Sequence, residues 1–184
     1  MVEVTDRSLI QRATNGDVEA FGRLVREHDD RMRAVAYRMV GSRAAMDDAL
    51  QAAYLNAFRG LPRFRAEADF GTWLHRIVVN ACYDLLRRTG RRAEVSLQAV
   101  PDLESPETVD SIDDRLDLQR QLHEALASLP DEYRAAVILV DGEGLSYAEA
   151  AEALGVERGT VASRLSRART ALRDRLQHDD KGER

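Results

Sequence analysis

The sequence predicts an all-α protein made of two small helical domains joined by a flexible acidic linker. Three observations carry this. Apolar residues recur at steps of three and four through most of the chain, the period of a helix with one buried face. Aromatic residues are sparse while Ala, Leu, Val and Arg dominate, which suits Ala-lined helix packing rather than a sheet sandwich. Residues 90–117 break the period, with two prolines, many acids and few apolar side chains, the composition of a segment that cannot bury enough surface to fold. The organisation read from this is a domain over 1–89, a linker over 90–117, a second domain over 118–176 and a polar tail over 177–184.

In the first domain, Thr5–Asp6 opens a short helix through about Ala13, stopped by Asn15–Gly16. Asp17 caps a long helix through Met39, with Val18, Phe21, Leu24 and Val25 on its buried face, and Gly41 ends it. Ser42 caps the third helix, which runs to about Arg59. Its buried stripe is Met46, Leu50, Ala53, Tyr54, Ala57 and Phe58, and Asp47, Asp48, Gln51 and Asn56 face outward. Gly60-Leu61-Pro62 breaks that helix, and a loop over Arg63–Asp69 leads to the fourth, about Phe70–Arg88. Phe70, Trp73, Leu74, Ile77, Val78, Ala81 and Leu85 form its inner face.

The second domain opens with an amphipathic helix near Leu118–Ser128, closed by Leu129-Pro130. Asp131 caps the next, to about Val140. Val137–Val140 also reads locally as a strand, but Tyr133, Ala136, Val137 and Val140 continue a helical stripe, so helix is preferred. Then comes GLSYAEAAEALGVERGTVASRLSRARTALRDRL (144–176), a helix-turn-helix pattern. Ser146 and Glu149 form the S-x-x-E capping box that satisfies two orphan backbone donors reciprocally. Ala150, Ala151 and Leu154 give the first helix an apolar face, and Gly155 stops it. A second helix from about Arg158 buries Val161, Leu165, Ala168 and Leu172, leaving Arg158, Ser163, Arg164, Ser166 and Arg167 off the stripe, available to phosphates and base edges.

The net charge of −5 is distributed unevenly. Residues 1–92 carry 16 arginines against 12 acids, +4; residues 93–117 one arginine against eight acids, −7; residues 118–184 ten basic against twelve acidic side chains, −2. Phosphate attraction supplies most non-specific DNA affinity, so a chain with this balance is expected to bind DNA weakly alone and to borrow affinity from a partner. The 28 linker residues would span about 90–100 Å if extended, so the two domains can grasp separated targets as one ligand.

Several function classes are excluded. No apolar run reaches the length of a membrane span, and the N-terminal MVEVTDRSLIQRATNGD lacks the apolar stretch of a signal peptide, so a cytoplasmic location and no membrane insertion are expected. A lone cysteine, Cys82, allows neither an internal disulfide nor a Cys-rich zinc site, and reads as a buried inert thiol. His28, His75, His123 and His178 show no ligand spacing, so no metal and no cofactor is expected. There is no phosphate-cradling glycine loop, no G-x-S-x-G and no nucleophile with a base; catalytic residues are expected to be none.

Four segments, GDVEAF (16–21), MDDALQAAYLNAFRGL (46–61), FGTWLHRIVVNACYDLLRR (70–88) and LPDEYRAAVILVDGEGLSYAEAAEALGVERGTVASRLSRARTALR (129–173), resemble in sequence and order the bacterial RNA polymerase sigma factors of the extracytoplasmic-function class. The resemblance implies a sigma-2 and a sigma-4 domain that bind core RNA polymerase, at the β′ clamp helices and the β flap, and direct it to promoter DNA without catalysing a reaction. Asp47, Asp48, Gln51 and Asn56 fall on the clamp-docking segment; Ala52 stands where relatives often carry an acid. The fourth helix and the Arg63–Asp69 loop match the part that reads and melts the −10 element, with Asn80, Asp84, Arg87 and Arg88 along one side. A base leaving the stack would be held in a protein pocket; Phe70 and Trp73 are assigned to the core by their spacing.

Arg158, Thr160, Ser163, Arg164, Ser166 and Arg167 correspond to the −35-reading helix, with Arg167 and Ser163 expected on base edges and Arg158, Thr160 and Arg164 on phosphates. Ala162 replaces a Lys or Arg of many relatives. The acidic linker would thread the polymerase cleft and RNA exit path, and an anti-sigma factor is a further expected partner. The rival reading is a stand-alone helix-turn-helix regulator that binds an operator as a dimer. It is disfavoured because no apolar dimerisation helix follows Leu176.

Overall fold

The computed structural model describes residues 4–64, 69–90 and 120–182, and these are built of helices and short turns with no strand among them. In chain order they are α1 (Val4–Thr14), α2 (Val18–Val40), α3 (Arg43–Gly60), a 3-10 turn (Leu61–Arg63) and α4 (Phe70–Arg88). The second unit holds α5 (120–127), α6 (Asp131–Val137) with a wider-pitched turn (Ile138–Gly142), α7 (Tyr147–Leu154) and α8 (Arg158–Gly182). The linker assignment falls on residues outside those described, as do 65–68 of the loop after α3.

The helix starts are set by side chains. Asp17 accepts from the Ala20 amide at 3.0 Å and is gripped by Arg12 at 2.7 and 2.9 Å. Ser42 accepts from Ala45 N, and Asp69 from Thr72 N. At Ser146 both halves of the capping box are made, 3.2 Å to the Glu149 amide and 2.8 Å back from Glu149 to the Ser146 amide. Gly41 and Gly155 end α2 and α7 at φ 84° and 64°, a left-handed backbone that costs glycine least.

Three expectations are corrected. Val18 is 67% exposed rather than inside, because the stripe through Phe21, Leu24 and Val35 leaves it at the margin of the first turn. Asp131 does not cap α6: Pro130 holds the cap position without a side-chain bond, and Asp131 is the first helical residue. There its carboxylate favours the positive end of the helix dipole and stands 3.5 Å from Arg134. Residues 138–142 are helical as expected but wider, with the Glu143 amide reaching back five residues to Ile138 O at 2.9 Å. Helix α8 also continues past Leu176 to Gly182.

The buried residues form one continuous cluster across both units. Helix α4 lies at its centre, packing on α2 and α3 on one side and on α7 on the other. It therefore buries two stripes: Phe70, Leu74, Val78 and Ala81 inward, and His75, Val79, Cys82 and Leu86, at steps of four, three and four, on the adjoining face. The chain between the units lies outside the described residues, yet the units themselves are in direct contact.

Candidate nucleic-acid and partner interfaces

The exposed residues of α8 were built by its apolar stripe. Val161, Leu165 and Ala168 are buried, which turns Ser163, Ser166 and Arg167 to the far side, all exposed. At about 100° per residue, Thr160 and Arg164 fall on one margin, both half-buried, and Arg158 falls near the other on the first turn, exposed. The six residues thus wrap the N-terminal half of α8, with Arg167, Ser163 and Ser166 as its crest. Ser163 Oγ donates to Thr160 O at 2.9 Å, which fixes its rotamer. Arg167 Nη1 donates to the Tyr133 hydroxyl at 3.0 Å, a bond that raises the guanidinium pKa and holds the side chain along α6.

Two residues here escaped the sequence reading. Tyr133 orients Arg167, and Arg169 makes a bidentate pair with Asp141 at 2.6 and 2.9 Å. That pair ties α8 to the turn after α6 and raises the Arg169 pKa. Asp141 six residues before Tyr147, facing an arginine one turn beyond Leu165, was a findable signal.

On α4 the exposed line is Arg76, Asn80, Asp84 and Arg87, at steps of four, four and three, with Asp84 half-buried. Arg76 was missed although it stands one turn before Asn80. Arg88 is exposed and stands four residues after Asp84, one further step along the same side. Asp84 and Arg87 pair with each other, and among the described residues Arg76 and Asn80 have no side-chain hydrogen bond or ion pair. Phe70 is buried, and Phe64, Phe70 and Trp73 form an aromatic cluster with centroids 5.0–5.9 Å apart, so Phe70 packs as expected while Trp73 stays half-exposed.

On α3, Asp47, Asp48, Gln51 and Asn56 are all exposed. Leu55, a 52% exposed leucine that the sequence reading passed over, follows Gln51 by one turn and Asp48 by two on the same side of α3. Asn56 lies on the opposite flank, nine residues and about 180° from Asp47. Behind this face a chain of polar contacts braces α2 against α3. The Tyr54 hydroxyl donates to Asp29 at 2.6 Å, Arg33 bonds Asp29 at 2.7 Å, and Arg33 reaches Asp47 at 3.2 Å. Burial acts to raise the Asp29 pKa, but the bonds from Tyr54 and Arg33 outweigh it and hold the carboxyl below its ordinary range.

Arg134 is the buried charge of the second unit, 7% exposed. Its Nε donates to Leu126 O at 2.8 Å, Nη2 to Ala127 O at 3.0 Å and Leu129 O at 2.9 Å, and Nη1 to Met39 O of α2 at 2.6 Å. Burial pulls its pKa down, and Asp131 counters that. The described helices include none long and apolar enough to cross a membrane.

Residues 24–92 match the family described as sigma-70 region 2, and residues 119–172 match sigma-70, region 4. The chain is 41% identical over 170 residues to the ECF RNA polymerase sigma factor SigM of Mycobacterium tuberculosis, covering 92% of this chain and 84% of that protein. To the ECF RNA polymerase sigma-E factor of Escherichia coli K12 it is 34% identical, covering 95% and 96%. Among solved structures, CnrH in complex with the cytosolic domain of CnrY aligns at 28% identity and TM-score 0.72, over 95% of this chain and 99% of that one. The sigma factor RpoE of Bartonella quintana, in complex with the anti-sigma factor NepR, aligns at 29% and 0.66, over 85% and 96%.

Proposed function

The chain belongs to the ECF RNA polymerase sigma factors, and from that premise we propose how its three surfaces divide the work. The face of α3 docks on the β′ clamp helices of core polymerase. Asp47, Asp48 and Gln51 accept from cationic and amide donors on the partner, and Leu55, one to two turns further along, supplies an apolar anchor beside them. Asn56 contributes from the flank. The second unit meets the β flap. The protein supplies specificity while the polymerase supplies the chemistry, and its place of work is the cytoplasm.

Helix α4 reads the −10 element. Asn80 pairs with base edges while Arg76 and Arg87 take phosphates, Arg87 exchanging Asp84 for DNA; Arg88 serves the strand that passes the helix end. Helix α8 enters the major groove at −35, with Arg167 and Ser163 on bases, Ser166 beside them, and Arg158, Thr160 and Arg164 on the backbone. The Tyr133 hydroxyl keeps Arg167 extended and ready, lowering the entropy lost on binding. The solved relative held by the anti-sigma factor NepR supports an anti-sigma factor as a regulator of this chain as well.

The observation that carries this reading is the coexistence of two unlike surfaces on one small chain: a cation-bearing recognition helix and an acidic face that ends on an exposed leucine. A stand-alone operator-binding dimer gives the second surface no role. Run-off transcription with purified core polymerase and promoter fragments tests the reading. Specific transcripts that need this protein support it. Failure to form a holoenzyme, with the free protein footprinting DNA alone, rejects it.

A further inference from the structure

Three hydrogen bonds join four side chains across the line where α2 meets α3, and the series ends on the outward face of α3. Tyr54 and Asp47 are two turns apart on α3 and so share the side turned to α2. Asp29 and Arg33 are one turn apart on α2 and meet them there. The Tyr54 hydroxyl donates to Asp29 Oδ1 at 2.6 Å, Arg33 Nε donates to Asp29 Oδ2 at 2.7 Å, and Arg33 Nη1 donates to Asp47 Oδ1 at 3.2 Å. Exposure rises along the way: Tyr54 is half-buried, and the side chains of Asp29, Arg33 and Asp47 are 28%, 47% and 58% exposed.

Both oxygens of Asp29 are taken, one by Tyr54 and one by Arg33, so that carboxylate has a single orientation and fixes the guanidinium against it. Arg33 in turn occupies Oδ1 of Asp47, and among the described residues Oδ2 of Asp47 takes no hydrogen bond. As a mere charge, an arginine is out of place here. A face that accepts from cationic donors loses attraction by carrying a cation of its own, and exposed ion pairs add little to stability. What the series does supply is order. A surface aspartate ordinarily samples several rotamers, and one already held loses less freedom when a partner binds.

We propose that Arg33 is a positioning residue for polymerase docking: held by Asp29 and Tyr54, it sets Asp47 in advance and leaves Oδ2 as a ready acceptor for a cationic or amide donor of the β′ clamp helices. This role rests on the docking reading of α3 given above and divides its acceptors into two kinds. Asp48 and Gln51 have no side-chain bond among the described residues and adapt to the partner, whereas Asp47 is fixed beforehand. A clamp cation on Oδ2 would complete a line of alternating charges through Asp47, Arg33 and Asp29 that closes on the neutral Tyr54 hydroxyl. Two effects of opposite sign separate this role from that of a plain surface charge. Removing Arg33 makes the face more acidic, which by itself speeds association with a cationic partner. Losing the pre-set Asp47 instead shortens the life of the complex.

The test is the binding kinetics of the full chain with core polymerase at one salt concentration, each variant first checked for unchanged helix content. Asp47→Ala should weaken the complex about tenfold. Arg33→Met should weaken it about fivefold through faster dissociation, with association unchanged or faster. Arg33→Lys should recover only part of that, since an ammonium cannot bridge two carboxylates as the planar fork does. Tyr54→Phe alters no charge and should weaken the complex about twofold by the same route. In an Asp47→Ala background neither Arg33→Met nor Tyr54→Phe should weaken it further. Tighter binding by Arg33→Met makes Arg33 a plain opposing charge, and an equal loss with and without Asp47 makes it a brace of helix packing; either result overturns the positioning role. If Asp47→Ala loses affinity while Arg33→Met does not, the role falls and the docking reading stands. If the parent chain does not bind polymerase, or Asp47→Ala binds as well as the parent, the docking reading of Asp47 falls and takes the role with it.

Discussion

Arg134→Lys is the most discriminating single substitution for the architecture. The guanidinium spends its donors on four main-chain carbonyls at 2.6–3.0 Å, three at the end of α5 and one on α2. Lysine keeps the charge but has three donors radiating from one point, and cannot span acceptors that a planar fork reaches in two directions. At least one carbonyl, and with it the reach to Met39, is lost. A hydrogen bond to a charged group contributes about 1.5–3 kcal/mol, and a buried acceptor left unmet costs about 1–3 kcal/mol. The expected loss is therefore about 2–4 kcal/mol, a large share of the roughly 5–15 kcal/mol that holds a domain folded. Arg134→Met also removes the buried charge but strands all four carbonyls, and should cost about as much or more. Urea unfolding followed by circular dichroism measures both. A loss below about 1 kcal/mol for both variants would mean that the carbonyl cluster is solvated and that the guanidinium fixes neither the α5–α6 corner nor its junction with α2.

Other expectations concern the surfaces and the interface. Arg167→Ala should weaken promoter use by about 1–3 kcal/mol, mainly through the −35 sequence, measured as transcription from matched and altered −35 elements; an equal loss on both would remove Arg167 from base recognition. Asp48→Arg and Leu55→Asp should each reduce core-polymerase affinity at every promoter, read by fluorescence titration of the labelled protein; unchanged affinity in both would remove α3 from docking. Acid should destabilise the folded protein. Burial lowers the pKa of His75, and also of His123, which the Arg134 charge lowers further. The unfolded chain takes up these protons near its ordinary pKa of 6.5, the folded one only lower. Stability is thus full above about pH 6.5 and falls as the pH drops below it. His75→Gln should flatten that slope in urea midpoints taken from pH 7.5 to 5.5, and an unchanged slope would place the titration elsewhere.

The local grammar of this chain was legible. Asp17, Ser42 and the Ser146–Glu149 box act on amides three residues away, and Gly41 and Gly155 act on their own backbone, so each signal is complete within one turn. Periodicity favours helix over strand at Val137–Val140, but the run on to Gly142 and the widening to a five-residue reach depend on how Glu143 and Leu145 fold back, which no periodicity records. The errors at Val18 and Asp131 are end effects, where a helix outruns its partner or a proline takes the cap position.

What the sequence concealed was contact between distant segments. The stripe His75, Val79, Cys82, Leu86 was present at helical spacing beside the first one, and a helix with two apolar faces has two neighbours. Arg134, immediately before the apolar AAVILV run (135–140), was likewise a mark of a buried cation with carbonyls to meet, though not of which carbonyls. Leu55 among outward polar residues marked an anchor. The surface assignments were read as lists along each helix, whereas the backbone turns about 100° per residue and puts Asn56 on the flank opposite Asp47.

The central claim is that this chain selects DNA sequence only when mounted on polymerase. Its most direct measurement is the affinity for a promoter duplex and for a scrambled duplex, at one fixed salt concentration, with and without core enzyme. The account predicts a preference of a hundredfold or more for the promoter in the holoenzyme, on the order of specific over non-specific binding, and nearly equal weak binding by the protein alone. A free protein that prefers the promoter as strongly as the holoenzyme does would contradict it.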